Sequence, residues 1–272
     1  MMMSQMENLR KSLDSQAPKP QIIAVGSGKG GVGKSTLSLA TSILLAQSGQ
    51  KVLLIDADPG LADLNILLGL NPPFHWGDFV RGEKQFHEIV MPDVFGMDFV
   101  HGFSGFKDGA ALSAENAHKL LDALQEQKKH YDYIVLDVGA GLAPANLVYL
   151  TRSDFVMLVL NSELTSLADA YGTLKTMRLQ NAAQNFGITV NQADNLAQAR
   201  LVFDNLSKIS HRFLGVEFPF LGWIPKDNTV PLALSKQQPL PISYPQSPFV
   251  LALRNVIESL NNYLHKKEPK NG

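Results

Sequence analysis

The stretch QIIAVGSGKGGVGKST, Gln21 to Thr36, constrains this chain more than any other part of it. An apolar run enters a turn crowded with glycine, and a helical pattern leaves it. Gly28, Gly33, Lys34 and Ser35 fill the pattern G-x-x-x-x-G-K-[ST]. In such a loop, main-chain amides and the positive end of a helix cradle phosphate, the lysine meets the β- and γ-phosphates, and the hydroxyl meets Mg²⁺. Gly30, Gly31 and Val32 complete the cradle, and Thr36 is a further expected phosphate contact. A glycine-rich turn could merely join strand to helix, but the complete pattern between those two elements is rarely accidental. Lys29 lies outside all these roles, which raises the question of what a second lysine at the mouth of the loop neutralises.

Short apolar runs alternate with helical patterns after this loop. KVLLID, MDFVHG, YDYIVLD, DFVMLVLN, FGITVN and EFPFLGWI read as buried strands, with helices expected over 34–48, 114–130, 166–184 and 194–212. Strands that are apolar throughout and separated by helices predict an α/β fold: a doubly wound, mostly parallel sheet with helices on both faces. With 272 residues, 45% of them hydrophobic, the chain can bury a full core. One large domain over 21–265 is the favoured reading, preceded by an appendage over 1–20 that Pro18 and Pro20 set apart, and followed by a polar tail over 266–272. No apolar run reaches the roughly 18 residues of a membrane span, and the amino-terminal segment is too polar for a signal peptide, so a cytoplasmic location is expected, with peripheral contact at the inner face of the cell membrane as the alternative. The absence of cysteine removes disulfides, thiolate chemistry and cysteine-held iron–sulfur clusters. A net charge of −1 gives no strong signal for nucleic acid.

In an open parallel sheet, ligands bind beyond the carboxyl ends of the strands, and acids gather there. Asp56 and Asp58 end the second strand two residues apart, on the same side of an extended segment. Asp56 could support hydrated Mg²⁺, while Asp58, further out, could orient water for attack on the γ-phosphate. Asp137 ends the apolar run YIVLD in the Walker B manner, and Gly139 and Gly141 allow a mobile turn near the γ-phosphate. A strand-terminal Asp often caps only the next turn, but three of them beside one phosphate loop argue together. The metal set is thus Ser35, Asp56 and Asp137. For the base, Asn191 offers an amide edge, and Pro225 and Asp227 stand in a loop after a strand, although turn formation explains them nearly as well. The Asn/Thr-Lys-x-Asp string of guanine readers does not follow the fourth strand, so ATP/ADP is favoured.

KGGVGKST, with lysine before and after the glycines, resembles the deviant Walker A motif of the MinD/ParA class of P-loop ATPases. DADPGLADLN and LDVGAGL resemble the two switch regions of that class, and the likeness covers about residues 21 to 260. Within the class the chain is most similar to the FlhG/FleN family of flagellar regulators, through LGL after the first switch, GFSGF at 102–106, TSLADAYGTLK at 165–175 and LGWIPKDNTV at 221–230. Two segments depart from the family: SELTS stands where PEPTS is usual, and Asn191-Gln192 where NR is usual.

The resemblance answers the question of Lys29. It implies two subunits meeting face to face over ATP, with Lys29 reaching the partner's nucleotide, so that Lys29, Lys34 and Asp58 are the catalytic set. Phosphoryl transfer builds charge that a cation delivered at assembly can stabilise. A solvated surface lysine is the plainer alternative, and Asp169 is the resting partner implied by similarity.

A slow, switch-like ATPase controlling flagellar number or placement is the leading expectation. The alternatives are a ParA-type DNA-partitioning ATPase, a MinD-type cell-division-site ATPase and a metabolic ATP-dependent enzyme. The amino-terminal SQMENLR is similar to the DQAxxLR helix of the flagellar family, with Ser4 for its Asp and Met6 for its Ala. That likeness implies a signal-recognition-type GTPase as partner, met through Gln5, Leu9 and Arg10. An unstructured tail with chance spacing of Met6, Leu9 and Leu13 is the alternative. Flagellar basal-body or transcriptional regulators are further expected partners. The last helical stripe, Phe249, Leu253, Val256, Ile257, Leu260 and Leu264, reads as core packing ahead of a membrane-seeking face, because it lacks a dense basic side.

Overall fold

The computed structural model describes residues 20–58, 63–103 and 113–266. Strand β1 (Gln21–Gly26) is central, and a phosphate-loop turn leads from it to helix α1 (Lys34–Gln47). Then come β2 (Val52–Ala57), the short helices α2 (Leu64–Leu68) and α3 (Trp76–Val80), the hairpin β3 (Val90–Val94) and β4 (Met97–Val100), α4 (Ala114–Gln127) and β5 (Tyr133–Val138). The second half alternates α5 (Pro144–Arg152), β6 (Phe155–Leu160), α6 (Leu164–Gln180), β7 (Phe186–Ala193), α7 (Leu196–Leu214) and β8 (Phe220–Pro225), and closes with α8 (Thr229–Ser235), α9 (Leu240–Ser243) and α10 (Pro248–Lys266).

The eight strands run in the order β3-β4-β2-β5-β1-β6-β7-β8, and every neighbouring pair is parallel except β3 with β4. The runs VLLIDA, YIVLDV and FVMLVL are buried at every position, as strands covered on both faces must be. One face packs against α4 to α7 through residues such as Leu121, Tyr149, Leu174 and Leu206, and the other against α1 and α10 through Leu37, Ile43, Leu253 and Val256.

The sequence expectation left out strand β3 and helix α5, as well as the short helices α2, α3, α8 and α9. Strand β3, VMPDV, carries Pro92 and a left-handed Asp93 (φ 55°), so it has no apolar run; it pairs only along one edge, where proline is tolerated. Helix α5 follows directly on the β5 turn with Pro144 in its first turn, a starting position at which the missing N–H costs nothing. The carboxyl-terminal stripe resolves in favour of the core. Phe249, Leu253, Val256 and Leu260 are at most 2% exposed, Ile257 is buried, and Leu264 packs against them. Each fully buried leucine or valine there contributes about 2 kcal/mol. The membrane-seeking alternative for this stripe falls away because its apolar face is already covered. No helix among the described residues is long and apolar enough to cross a membrane.

A candidate nucleotide cleft at the carboxyl edge of the sheet

Parallel register brings the ends of β1, β2 and β5 level: Asp56 lies opposite Asp137, and Asp137 opposite Val25. Above them opens a cavity of about 620 Å³. Gly30, Gly31, Gly33, Lys34, Ser35 and Thr36 form its floor, Asp58 and Ala140 one side, and Asn191, Pro225 and Asp227 the far wall. Gly28, Lys29, Val32, Asp56, Asp137 and Gly141 stand outside this lining, each for a reason the packing gives.

Val32 is fully buried, anchoring the loop in the core. Its carbonyl accepts a hydrogen bond of 2.7 Å from Asn191 Nδ2, which ties the end of β7 to the phosphate loop. Gly33 adopts φ 89°, a left-handed conformation, and a Cβ there would collide with the Asn191 amide. Gly28 is backed by the main chain of Asp169, leaving no room for a side chain. The loop after β5 is joined on as well, since the Gly141 amide donates to Ser27 O at 3.0 Å.

The two deep acids are almost fully buried, Asp56 at 0% and Asp137 at 1% exposure. Asp137 accepts from Ser38 Oγ at 2.9 Å and from Ser35; burial nevertheless outweighs these bonds and the Lys34 charge, and pushes its carboxyl up to about 6. Asp56 is raised well above the usual carboxylate range, first by burial and then by repulsion from Asp137. Its Oδ1 accepts from the Asp58 amide at 3.3 Å and its Oδ2 from the Leu64 amide at 3.2 Å, so Asp56 ties the end of β2 to the start of α2. Its carbonyl accepts from the buried Trp76 indole at 3.0 Å.

These donors suit a hard divalent cation: a hydroxyl and carboxylates, with neither thiolate nor imidazole. Among the described residues no group of three or more histidines, cysteines or acids closes into a cage. That is the arrangement Mg²⁺ tolerates, because it keeps several waters and completes its shell with substrate phosphate.

At the rim, Lys29 Nζ donates to Thr165 Oγ1 at 2.9 Å and pairs with the Glu163 carboxylate. This corrects the expectation of Asp169. That residue's main chain lies against Gly28, while the lysine side chain runs on to the start of α6. At the base end, the Asp227 carboxylate accepts from Thr229 N at 2.8 Å, Thr229 Oγ1 at 2.6 Å, Phe249 N at 2.9 Å and the Ser247 side chain. A carboxylate has about four acceptor positions. Those positions are filled, so what Asp227 offers at the base end is its main chain. Asn191 has spent one donor on Val32 and keeps its other groups at the cavity wall.

Sequence reasoning missed Asp63, Gln192, Lys226 and Asn228, together with an apolar end formed by Leu67, Val230, Pro231, Leu234 and Phe249. The left-handed Gln192 (φ 58°) and the pair of Lys226 with Asp194 at 2.8 Å leave no periodic signal in sequence. Asp63, within the quoted first switch, was legible and passed over.

A phosphate loop between β1 and α1, acids level at the adjoining strand ends and a cleft above them define a nucleotide-binding α/β domain. Residues 23–240 match the CobQ/CobB/MinD/ParA nucleotide binding domain, and the chain belongs to that family. It is 31% identical to the antiactivator FleN of Pseudomonas aeruginosa over 96% of this chain and 92% of that protein. It is 30% identical to the flagellum site-determining protein YlxH of Helicobacter pylori over 79% of this chain and 72% of that one. In three dimensions it is similar to the septum site-determining protein MinD of Pyrococcus horikoshii complexed with Mg-ADP, with a TM-score of 0.74 at 23% identity over 92% of this chain and 99% of that chain. This last likeness bears on the fold alone.

Proposed function

We propose that this chain is an ATP-dependent, dimerising switch ATPase that regulates flagellar number or placement. The observation that carries the switch is the position of Lys29. Its backbone belongs to the phosphate loop, yet its ammonium stands at the rim, 35% exposed, in an ion pair with an exposed Glu163. Leu164, 86% exposed, adjoins Glu163, and the exposed Leu142 adjoins Gly141. Leu164 opens α6, whose Thr165 bonds Lys29, and Leu142 follows Gly141, whose amide bonds Ser27; a second copy would cover this apolar surface.

In this reading the loop amides, Lys34 and Thr36 hold the ATP phosphates. Ser35 would ligate Mg²⁺ directly, with Asp56 and Asp137 behind its waters; the cation supplies charge neutralisation at the β- and γ-phosphates. Asp58 orients the attacking water, and Lys29 leaves Glu163 to stabilise charge on the partner's nucleotide. Asn191, Pro225 and the main chain of Asp227 face the adenine. The flagellar assignment is supported by the relatives FleN and YlxH. A GTPase contact through Gln5, Leu9 and Arg10, which lie outside the described residues, extends it.

Size measurement of the purified chain tests the switch. It should run as a monomer with ADP and as a dimer with ATP and Mg²⁺. Lys34→Ala should lose ATP, whereas Lys29→Ala should keep ATP and lose the dimer or its turnover. A wild type that remains monomeric with ATP would overturn the reading. Deletion of residues 1–16 should spare ATP-dependent dimerisation and remove stimulation of the GTPase; equal stimulation by the truncated chain would remove that partner.

A further inference from the structure

The phosphate end of the cleft holds more negative charge than the roles above employ. Its charged wall, among the described residues, is Lys34, Asp58 and Asp63. Lys34 is only 8% exposed and makes no ion pair with a described residue, so a buried ammonium stands in the cavity wall facing whatever binds there. The acids behind it are partly committed: both oxygens of Asp56 accept amide bonds, and Asp137 serves Ser38 and Ser35. Among the described residues, the Asp63 carboxylate is met only by its own main-chain amide. Asp63 occupies the N-cap position of α2, yet its side chain makes no capping bond.

Its charge is also costly where it stands. Burial and the neighbouring Asp58 both oppose ionisation of Asp63, and Lys34 and its own amide only partly offset them. Asparagine caps helices as well as aspartate does, without repelling Asp58. Structure alone therefore gives no reason for a carboxylate at this position. A hydrated divalent cation does: Mg²⁺ keeps several waters whose protons need acceptors, and carboxylates facing the cavity provide them.

We propose that Asp63 is a positioning residue for the divalent cation, accepting a hydrogen bond from a cation-bound water opposite Asp58. The inference rests on the nucleotide reading of the cleft. It adds a consequence: the Leu64 amide is held by Asp56, so a cation engaging Asp63 fixes the start of α2 from two directions. Nucleotide-bound cation would then be felt at α2, whose Ile66 is 56% exposed.

The test is a Mg²⁺ titration of ATP binding to the full chain, followed by calorimetry, for wild type, Asp63→Asn and Asp63→Ala. ATP binding in EDTA and the melting temperature are measured alongside. Both variants should bind ATP in EDTA at least as tightly as wild type, since a like charge has left the phosphate end. Both should need about tenfold more Mg²⁺ for half-maximal enhancement, the size of effect that outer-shell carboxylates have on metal sites. An unmoved Mg²⁺ midpoint in Asp63→Asn, with wild type responding to Mg²⁺, overturns the role of Asp63 alone. Equal loss of ATP in EDTA would make the residue structural and also overturn it. A wild type whose ATP binding ignores Mg²⁺ takes down the cation reading of the cleft and this inference with it.

Discussion

Lys29 is tied to Glu163, 134 positions later in the same chain, and the Thr165 hydroxyl completes the clasp at 2.9 Å. The hydrogen bond from Lys29, and then its charge, hold the Glu163 carboxyl below its usual range although the pair is open to solvent. An exposed pair of this kind contributes little to folding, about 0 to 1 kcal/mol. Its effect falls on where the lysine points.

Glu163→Gln should therefore leave the melting temperature within roughly 2 °C of wild type and raise the dimer fraction at limiting ATP, because the ammonium no longer has to leave a carboxylate. Analytical ultracentrifugation across an ATP series reads this out. A dimer fraction equal to or below that of wild type would mean that Glu163 does not restrain Lys29.

Asn191→Ala removes the donor that the Val32 carbonyl uses in the buried seam between β7 and the phosphate loop. Losing such a bond costs about 1–3 kcal/mol. Thermal melting should show that loss, and ATP affinity should fall as Gly33 loses its neighbour. Wild-type affinity in a destabilised variant would confine Asn191 to the fold.

Leu260→Asp places an unpaired charge where exposure is 0%. The expected cost is at least 3 kcal/mol, because the group must be desolvated or protonated. Urea unfolding at pH 7 measures it. Unchanged stability would contradict the packing of α10 on β8.

Acid should weaken the fold through His101. Burial, and then the charge of His75, hold its imidazole below the usual range, and Asp78, Arg81 and Glu83 lie around His75 in the same cluster. A histidine kept neutral in the fold contributes stability that is fully present above about pH 6.5 and is lost as pH falls from there through its lower folded value. His101→Gln should thus flatten the fall of melting temperature between about pH 7 and 5. A slope identical to wild type would assign the acid sensitivity elsewhere.

The sequence by itself determined what depends on neighbours along the chain. The phosphate loop could be read because its glycines, Lys34 and Ser35 act through local backbone geometry, and the buried strands because being covered on both faces makes a run apolar throughout. Asp56 and Asp137 could be placed at strand ends for the same reason, and register then made them neighbours. Tertiary structure decided every choice of partner. It gave Lys29 to Glu163 instead of Asp169, filled the Asp227 carboxylate with donors from Thr229, Ser247 and Phe249, and turned Asp63 into the cleft. It also covered the apolar stripe of α10 with the sheet and α1. The physical reason is common to these cases: periodicity shows which side of an element is apolar or charged, but hydrogen bonds and packing between segments far apart in sequence depend on how the sheet brings those segments together.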